Sequence, residues 1–233
     1  METLITATNM NSLALSRFIQ LLDGIFPSGA FVHSFGLEPH VVLNLVNNKE
    51  SLKNFLENII EDQYQYMEFS VVKKVFRLLE QNNLNLLIKE DRKFASMLSF
   101  EYAKASKDLG ENYLKHIDFK IQKPIVSEYY KNVKEGKAYG NELFILGSYA
   151  YELGLDEDTF LLLWCKKTLI NITSASLKIS RIKPSEIQQI LFSFDEVLEG
   201  KIKKSSKNVS NFNPLFEEVI FSHLNLEPKM FTT

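Results

Sequence analysis

Apolar residues recur at intervals of three and four along most of this 233-residue chain, the spacing of an amphipathic helix. From Ser12, the positions Leu15, Phe18, Ile19 and Leu22 form a first stripe. Leu52, Phe55, Leu56, Ile59, Ile60 and Met67, with Tyr64 between, form the clearest one, and Lys53, Glu57, Glu61 and Asp62 take the opposite face. Val71 to Leu79 continues helically after a bend, and Asn82-Asn83 marks a turn. Leu84, Leu87, Ile88, Ala95, Leu98, Tyr102, Ala105 and Leu109 predict one long helix stopped by Gly110, a residue suited to left-handed geometry. Shorter segments follow over 124–134 and 139–153. Gly154-Leu155-Asp156 reads as a glycine stop, a hydrophobic clasp and an N-cap for a helix that begins with Glu157 and Asp158 and runs to about Ile179. Pro184 opens a further helix with Ile187, Ile190, Leu191, Phe194, Val197 and Leu198 on one face. No segment alternates convincingly with period two, and no Asn-Gly or Asp-Gly pair lies between β-branched runs. The pattern predicts an all-α fold of roughly eight to ten helices.

The same pattern divides the chain. Residues 1–11 are small and polar, so a disordered N-terminus is expected. Residues 12–199 read as a single compact helical domain. Over 200–213 the helical pattern fails, and Lys201, Lys203, Lys204 and Lys207 mix with serines and asparagines, as in a solvated linker or an interaction site. Residues 214–233 then give a short apolar helix from Pro214 to His223 and a tail. With Leu226, Met230 and Phe231 exposed, that tail should order against a partner.

One stretch departs from the helical habit. Between Leu21 and Glu38 fall three of the nine glycines, Pro27, and the phenylalanines Phe26, Phe31 and Phe35. Pro27 fixes its own φ and pushes Phe26 into extended geometry, which ends the first helix near Asp23. A loop this apolar must plug into the core, cover a partner, or do both.

Bulk composition removes some classes of function. The chain is 45% hydrophobic and 24% charged, with a net charge of −2. No basic excess exists to bind nucleic acid through phosphate neutralisation. The longest obvious apolar run, Phe160 to Cys165, is far short of the ~20 residues that span a bilayer. The lone Cys165 fits a reducing compartment, and the N-terminal residues lack the pattern of a secretory signal. A cytoplasmic protein is expected.

Reactive groups do not converge in the sequence. The histidines His33, His40, His116 and His223 form no H-x-x-x-H pair, and no phosphate-binding glycine loop is present. His33, in the glycine-bent loop, is either a hydrogen-bonded loop residue or a transient metal contact. Cys165 follows Trp164 within an apolar stretch, the setting of a buried structural thiol. Glu38 either stabilises the N-terminus of the next helix or contacts a partner.

The loop Leu-x-Asp-x-x-Phe-Pro-x-Gly-x-Phe-x-x-Ser-Phe-Gly-Leu-Glu resembles the signature of the urease accessory protein F (UreF) family. Asp23, Pro27, Gly29, Phe31, Ser34, Gly36, Leu37 and Glu38 stand at its positions, with His33 beside Ser34 and Gly24 in place of a common serine. Weaker likeness runs over nearly the whole chain. Ser106 and Gly110 match a family stretch in which Ala103 replaces an arginine, and Gly147, Ala150 and Leu153-Gly154-Leu155 match another. Lys178 stands where the family commonly has arginine, and the P-L-G-Q positions after it read Arg181-Ile182-Lys183-Pro184. His223 and Lys229-Met230-Phe231 are similar to the family's ending.

The resemblance implies an all-α, non-enzymatic chaperone without a cofactor. Such a protein would dimerise, bind the D-type (H-type) accessory protein and recruit the G-type GTPase. It would then dock on apo-urease and support GTP-dependent nickel insertion. On this reading Phe26, Pro27, Gly29, Phe31, His33, Ser34, Gly36, Leu37 and Glu38 form a surface that positions the GTPase. Lys178 lies at a further partner contact, and Lys229, Met230 and Phe231 anchor the tail in the D-type partner. A stand-alone helical nickel carrier and a helical cofactor-dependent enzyme are the competing readings.

Overall fold

The computed structural model describes residues 12–117, 121–205, 209–210, 218–219 and 221–232. The expected disordered N-terminus, part of the linker and half of the 214–223 helix lie outside these residues. The all-α expectation holds: among the described residues there are helices and no strands. Ten helices have ten or more residues, and α2 is a six-residue addition. They are α1 (Ser12–Leu22), α2 (Leu37–Val42), α3 (Lys49–Asn58), α4 (Glu68–Glu80), α5 (Leu84–Met97), α6 (Phe100–Ile117), α7 (Pro124–Lys134), α8 (Glu142–Leu153), α9 (Glu157–Ile179), α10 (Pro184–Ser193) and α11 (Asp195–Lys204).

Two central helices organise the rest. Every residue of α8 from Glu142 to Ala150 is buried, as expected of a helix that is apolar all round. It packs against α4, α6, α7 and α9, while the 23-residue α9 also contacts α1, α2, α10 and α11. Their junction forms as the sequence predicts. Gly154 takes φ 79° at the end of α8, the Leu155 N–H donates back to the Ala150 carbonyl, and Asp156 caps α9 by accepting from the Thr159 N–H at 2.8 Å.

Three expectations are corrected. The long helix over 84–109 is two helices, because Leu98 is extended and Ser99 offers its hydroxyl to the Tyr102 N–H as a cap. Gly110 is therefore no stop but an interior residue of α6. A Cβ there would lie 2.0 Å from the Gly140 carbonyl oxygen, so a side chain cannot fit between the backbones. The facing turn is held by the buried Asp91, which accepts from the N–H groups of Gly140 and Asn141, the Asn141 amide and the Tyr129 hydroxyl. Finally, the helical pattern does not fail at residue 200: α11 runs to Lys204, and Lys201, Lys203 and Lys204 lie in its last turn. Cations are favoured there by the negative end of the helix dipole.

Between α3 and α4 the backbone widens into a π-helical segment, Ile59–Tyr64, where the Gln65 N–H reaches back five residues to the Ile60 carbonyl at 3.0 Å. It lies in the interruption between α3 and α4, ahead of Val71, where the sequence predicts a bend.

Candidate functional site

The loop between α1 and α2 turns inward. Asp23 starts it by accepting the Ile25 N–H at 2.8 Å. Phe26 stacks on Tyr113 of α6, with centroids 5.3 Å apart, and meets His116 edge-on. Gly29 (φ 83°) opens a one-turn 3-10 helix, Ala30–Val32, in which Phe31 falls. Gly36 (φ 81°) launches α2. Ser34 is fully buried and its hydroxyl accepts the Glu38 N–H at 3.3 Å. His40 reaches back with Nδ1 to the Gly36 carbonyl at 2.7 Å, which assigns the proton to that nitrogen.

At the end of this corner Glu38, only 2% exposed, gathers the C-terminal segment. Its Oε1 accepts the Met230 N–H at 2.6 Å. Its Oε2 accepts the Phe231 N–H at 3.1 Å and faces His223 Nε2 at 3.2 Å. The acceptor identity places a proton on that nitrogen. The Thr232 N–H adds a bond to the Val32 carbonyl at 2.7 Å. Phe231 is buried in the core, and the Lys178 ammonium stands 5.4 Å from its ring centroid, a cation–π distance. Glu101 lies 3.8 Å from the other nitrogen of His223.

Two expectations change here. Glu38 serves neither as a helix-terminus charge alone nor, in this state, as an exposed contact, because its carboxyl group is occupied by the tail. Phe231 is not exposed either, whereas Met230 and Lys229 are. Ser28, His33, Ser34 and Leu37 are likewise buried, while Asp23, Gly24, Ile25 and Pro27 face outward, Ile25 and Pro27 being the apolar side chains among them. His33 is kept neutral because burial lowers its pKa, against weaker pulls from Glu142 and Asp108. The sequence singled out both the loop and the tail but held no signal that they meet.

A cleft of about 190 Å³ lies beside the loop, lined by Asp23, Phe26, Ser28, Asn171, Lys167 and Lys178 among others. Lys178 therefore borders both the cleft and the tail. The other lysine is a residue that sequence reasoning missed. Lys167 is 6% exposed, bonds Glu142 of α8 at 2.9 Å, and keeps its charge because that carboxylate and Tyr113 outweigh burial. A lysine inside a helix's apolar stretch, four residues after Leu163, carried no pattern of its own. Burial also pushes the Cys165 thiol far above the ordinary range, so it is inert as a nucleophile. Among the described residues no group of three or more His, Cys, Asp or Glu side chains could hold a metal ion.

Fold and site together define an all-α protein whose distinctive chemistry is the clamping of its own C-terminal segment onto a glycine-bent corner. A family model described as UreF matches residues 46–195. A urease accessory protein UreF from Bacillus sp. (strain TB-90) is 29% identical over 227 residues, covering 95% of this chain and 99% of the relative. At that coverage the alignment takes in the glycine-bent corner. A UreF from Lachnoclostridium phytofermentans is 23% identical, covering 75% of this chain and 77% of that protein. One from Streptococcus salivarius is 25% identical over 140 residues. The chain belongs to the UreF family of urease accessory proteins. No helix among the described residues is long and apolar enough to cross a membrane.

Proposed function

We propose that this chain is a non-enzymatic adaptor in urease maturation. With the D/H-type accessory protein and the G-type GTPase it docks on apo-urease, as a homodimer in the cytoplasm, and supports GTP-dependent nickel insertion. The observation that carries this reading is the Glu38 clamp, which uses backbone hydrogen bonds to fix a segment whose neighbouring side chains stay outside. Met230 is 60% exposed and Ile25 92% exposed, large apolar groups held in place beside a firmly seated backbone. Rigid presentation lowers the ordering cost of association. Met230, Lys229 and Lys178 would face the D-type partner, and Ile25, Pro27 and the cleft beside Lys178 would face the GTPase.

The test is co-expression with the urease accessory proteins and size-exclusion chromatography, comparing the intact chain with Met230→Glu and Ile25→Glu. A surface substitution is preferable to removing residues 224–233, since truncation would uncover the Phe231 pocket and strand Glu38 without partners. Loss of D-type co-elution for Met230→Glu, with an unchanged circular dichroism spectrum, is the expected result. Full complex formation by both variants would sink the assignment of these surfaces. A purified chain that binds nickel tightly in calorimetry without partners would favour the carrier reading instead.

A further inference from the structure

Away from the clamp, a small pocket of about 50 Å³, partly open to the surface, lies where the π-helical segment, α4, α6, α8 and α9 meet. Its lining includes Gln63 and Tyr64 from the π-helical segment, Glu68 from α4, Tyr102 from α6 and Trp164 from α9. Gln63 Nε2 donates to Glu68 Oε1 at 2.6 Å. The other carboxyl oxygen, Glu68 Oε2, and the Trp164 indole N–H are both fully buried and have no protein partner. One can accept and the other can only donate.

Apolar side chains such as Phe35, Phe94 and Leu109 make up most of the lining, and the two complementary polar atoms on Glu68 and Trp164 are what favours water there. A dry cavity is lined by apolar groups, whereas a polar one with room for a probe sphere holds water. At this volume there is room for about three molecules. The π-helical widening, a rare feature concentrated at functional sites, places Gln63 and Tyr64 in the lining. We propose that this cavity is a built site for internal water, in which a bound molecule accepts from the Trp164 indole N–H and bridges it to Glu68 Oε2. The site stands on its own geometry and not on the adaptor reading. It also couples the π-helical segment to α9 through solvent, so a change of charge on Glu68 is felt at the tryptophan.

The groups around Glu68 are Tyr64 on the π-helical segment, Tyr102 on α6, Glu142 on α8 and Cys165 on α9, with Lys167 tied to Glu142. Burial pushes the Glu68 carboxyl up to about 7, against the Gln63 hydrogen bond, which acts the other way. The carboxyl therefore changes charge near neutral pH while the bridging water remains, since water can donate to a carboxylate or accept from a carboxyl O–H.

The chain has one tryptophan, so both readouts are unambiguous. In ¹⁵N-labelled full-length protein, the indole N–H of Trp164 should show a cross-relaxation peak to a long-lived water; Glu68→Gln should retain it and Glu68→Leu should lose it. Intrinsic fluorescence of the wild type should step once between pH 5.5 and 8.5, with a midpoint near 7, and Glu68→Gln should be flat. A visible indole resonance without a water peak in the wild type overturns the hydration site. A flat wild-type fluorescence curve overturns its coupling to Glu68. Either wild-type result stands even if Glu68→Leu does not fold.

Discussion

Consider Glu38→Gln, a change of one atom in the clamp. Glu38 accepts two hydrogen bonds at Oε2 and one at Oε1. A glutamine offers a single carbonyl oxygen. If that oxygen takes the place of Oε2, it can still accept from Phe231 and His223, and the new NH₂ group then points at the Met230 N–H. Donor meets donor, and a bond that was 2.6 Å long is replaced by repulsion. Hydrogen bonds to a charged acceptor contribute about 1.5–3 kcal/mol each, so the tail's docking should weaken by about 2 kcal/mol. At about 1.4 kcal/mol per tenfold change, local opening becomes roughly 30-fold more frequent. Hydrogen exchange resolved at Met230 and Phe231 measures this directly, with the amides of α8 as an internal control. Exchange at the two tail amides within about twofold of wild type would refute the clamp. So would an equal acceleration throughout α8, because Glu38 would then support the whole core and not the tail.

Other perturbations test the rest of the construction. Gly110→Ala places a methyl group 2.0 Å from the Gly140 carbonyl oxygen, forces α6 off the turn before α8, and should cost about 3 kcal/mol in urea denaturation. Lys167→Met strands Glu142 in the core and should cost about 3–5 kcal/mol, whereas adding Glu142→Leu should recover much of that loss in the double variant. Glu68 binds its proton more tightly in the folded chain (about 7) than at its ordinary value of 4.5. Its contribution is thus complete below pH 4.5 and is lost as pH rises through 7. By this linkage Glu68→Gln should be more stable than wild type by about 3 kcal/mol at pH 8 and no more stable at pH 4.5, measured by thermal melts at both values.

The local parts of this fold were legible because their causes are local. The stop at Gly154, the cap at Asp156, Pro124 and Pro184 at helix starts, and the end of α1 before Gly24 each depend on a few neighbouring residues. Gly110 misled because a glycine needed for close approach of two backbones looks, in one dimension, like a glycine that ends a helix. The break after Met97 was hidden for a related reason: Leu98 keeps the apolar stripe in phase on both sides. The corner of Gly29 and Gly36 could be read, and so could the tail's need for a surface. Their meeting could not, since nothing in either sequence names the other. Lys167 and Glu142 were equally silent, being 25 residues apart on two helices.

The bonds that close on Glu38 join residues separated by 185 to 193 positions. A nascent chain must therefore carry the Gly36 corner through the synthesis of 185 to 193 further residues before Glu38 meets its partners. Until then a carboxyl group destined for the interior remains wet, and the groove meant for Phe231 is open to any passing apolar segment. A chain cut just before Met230 would be an otherwise helical product with its seam unsealed.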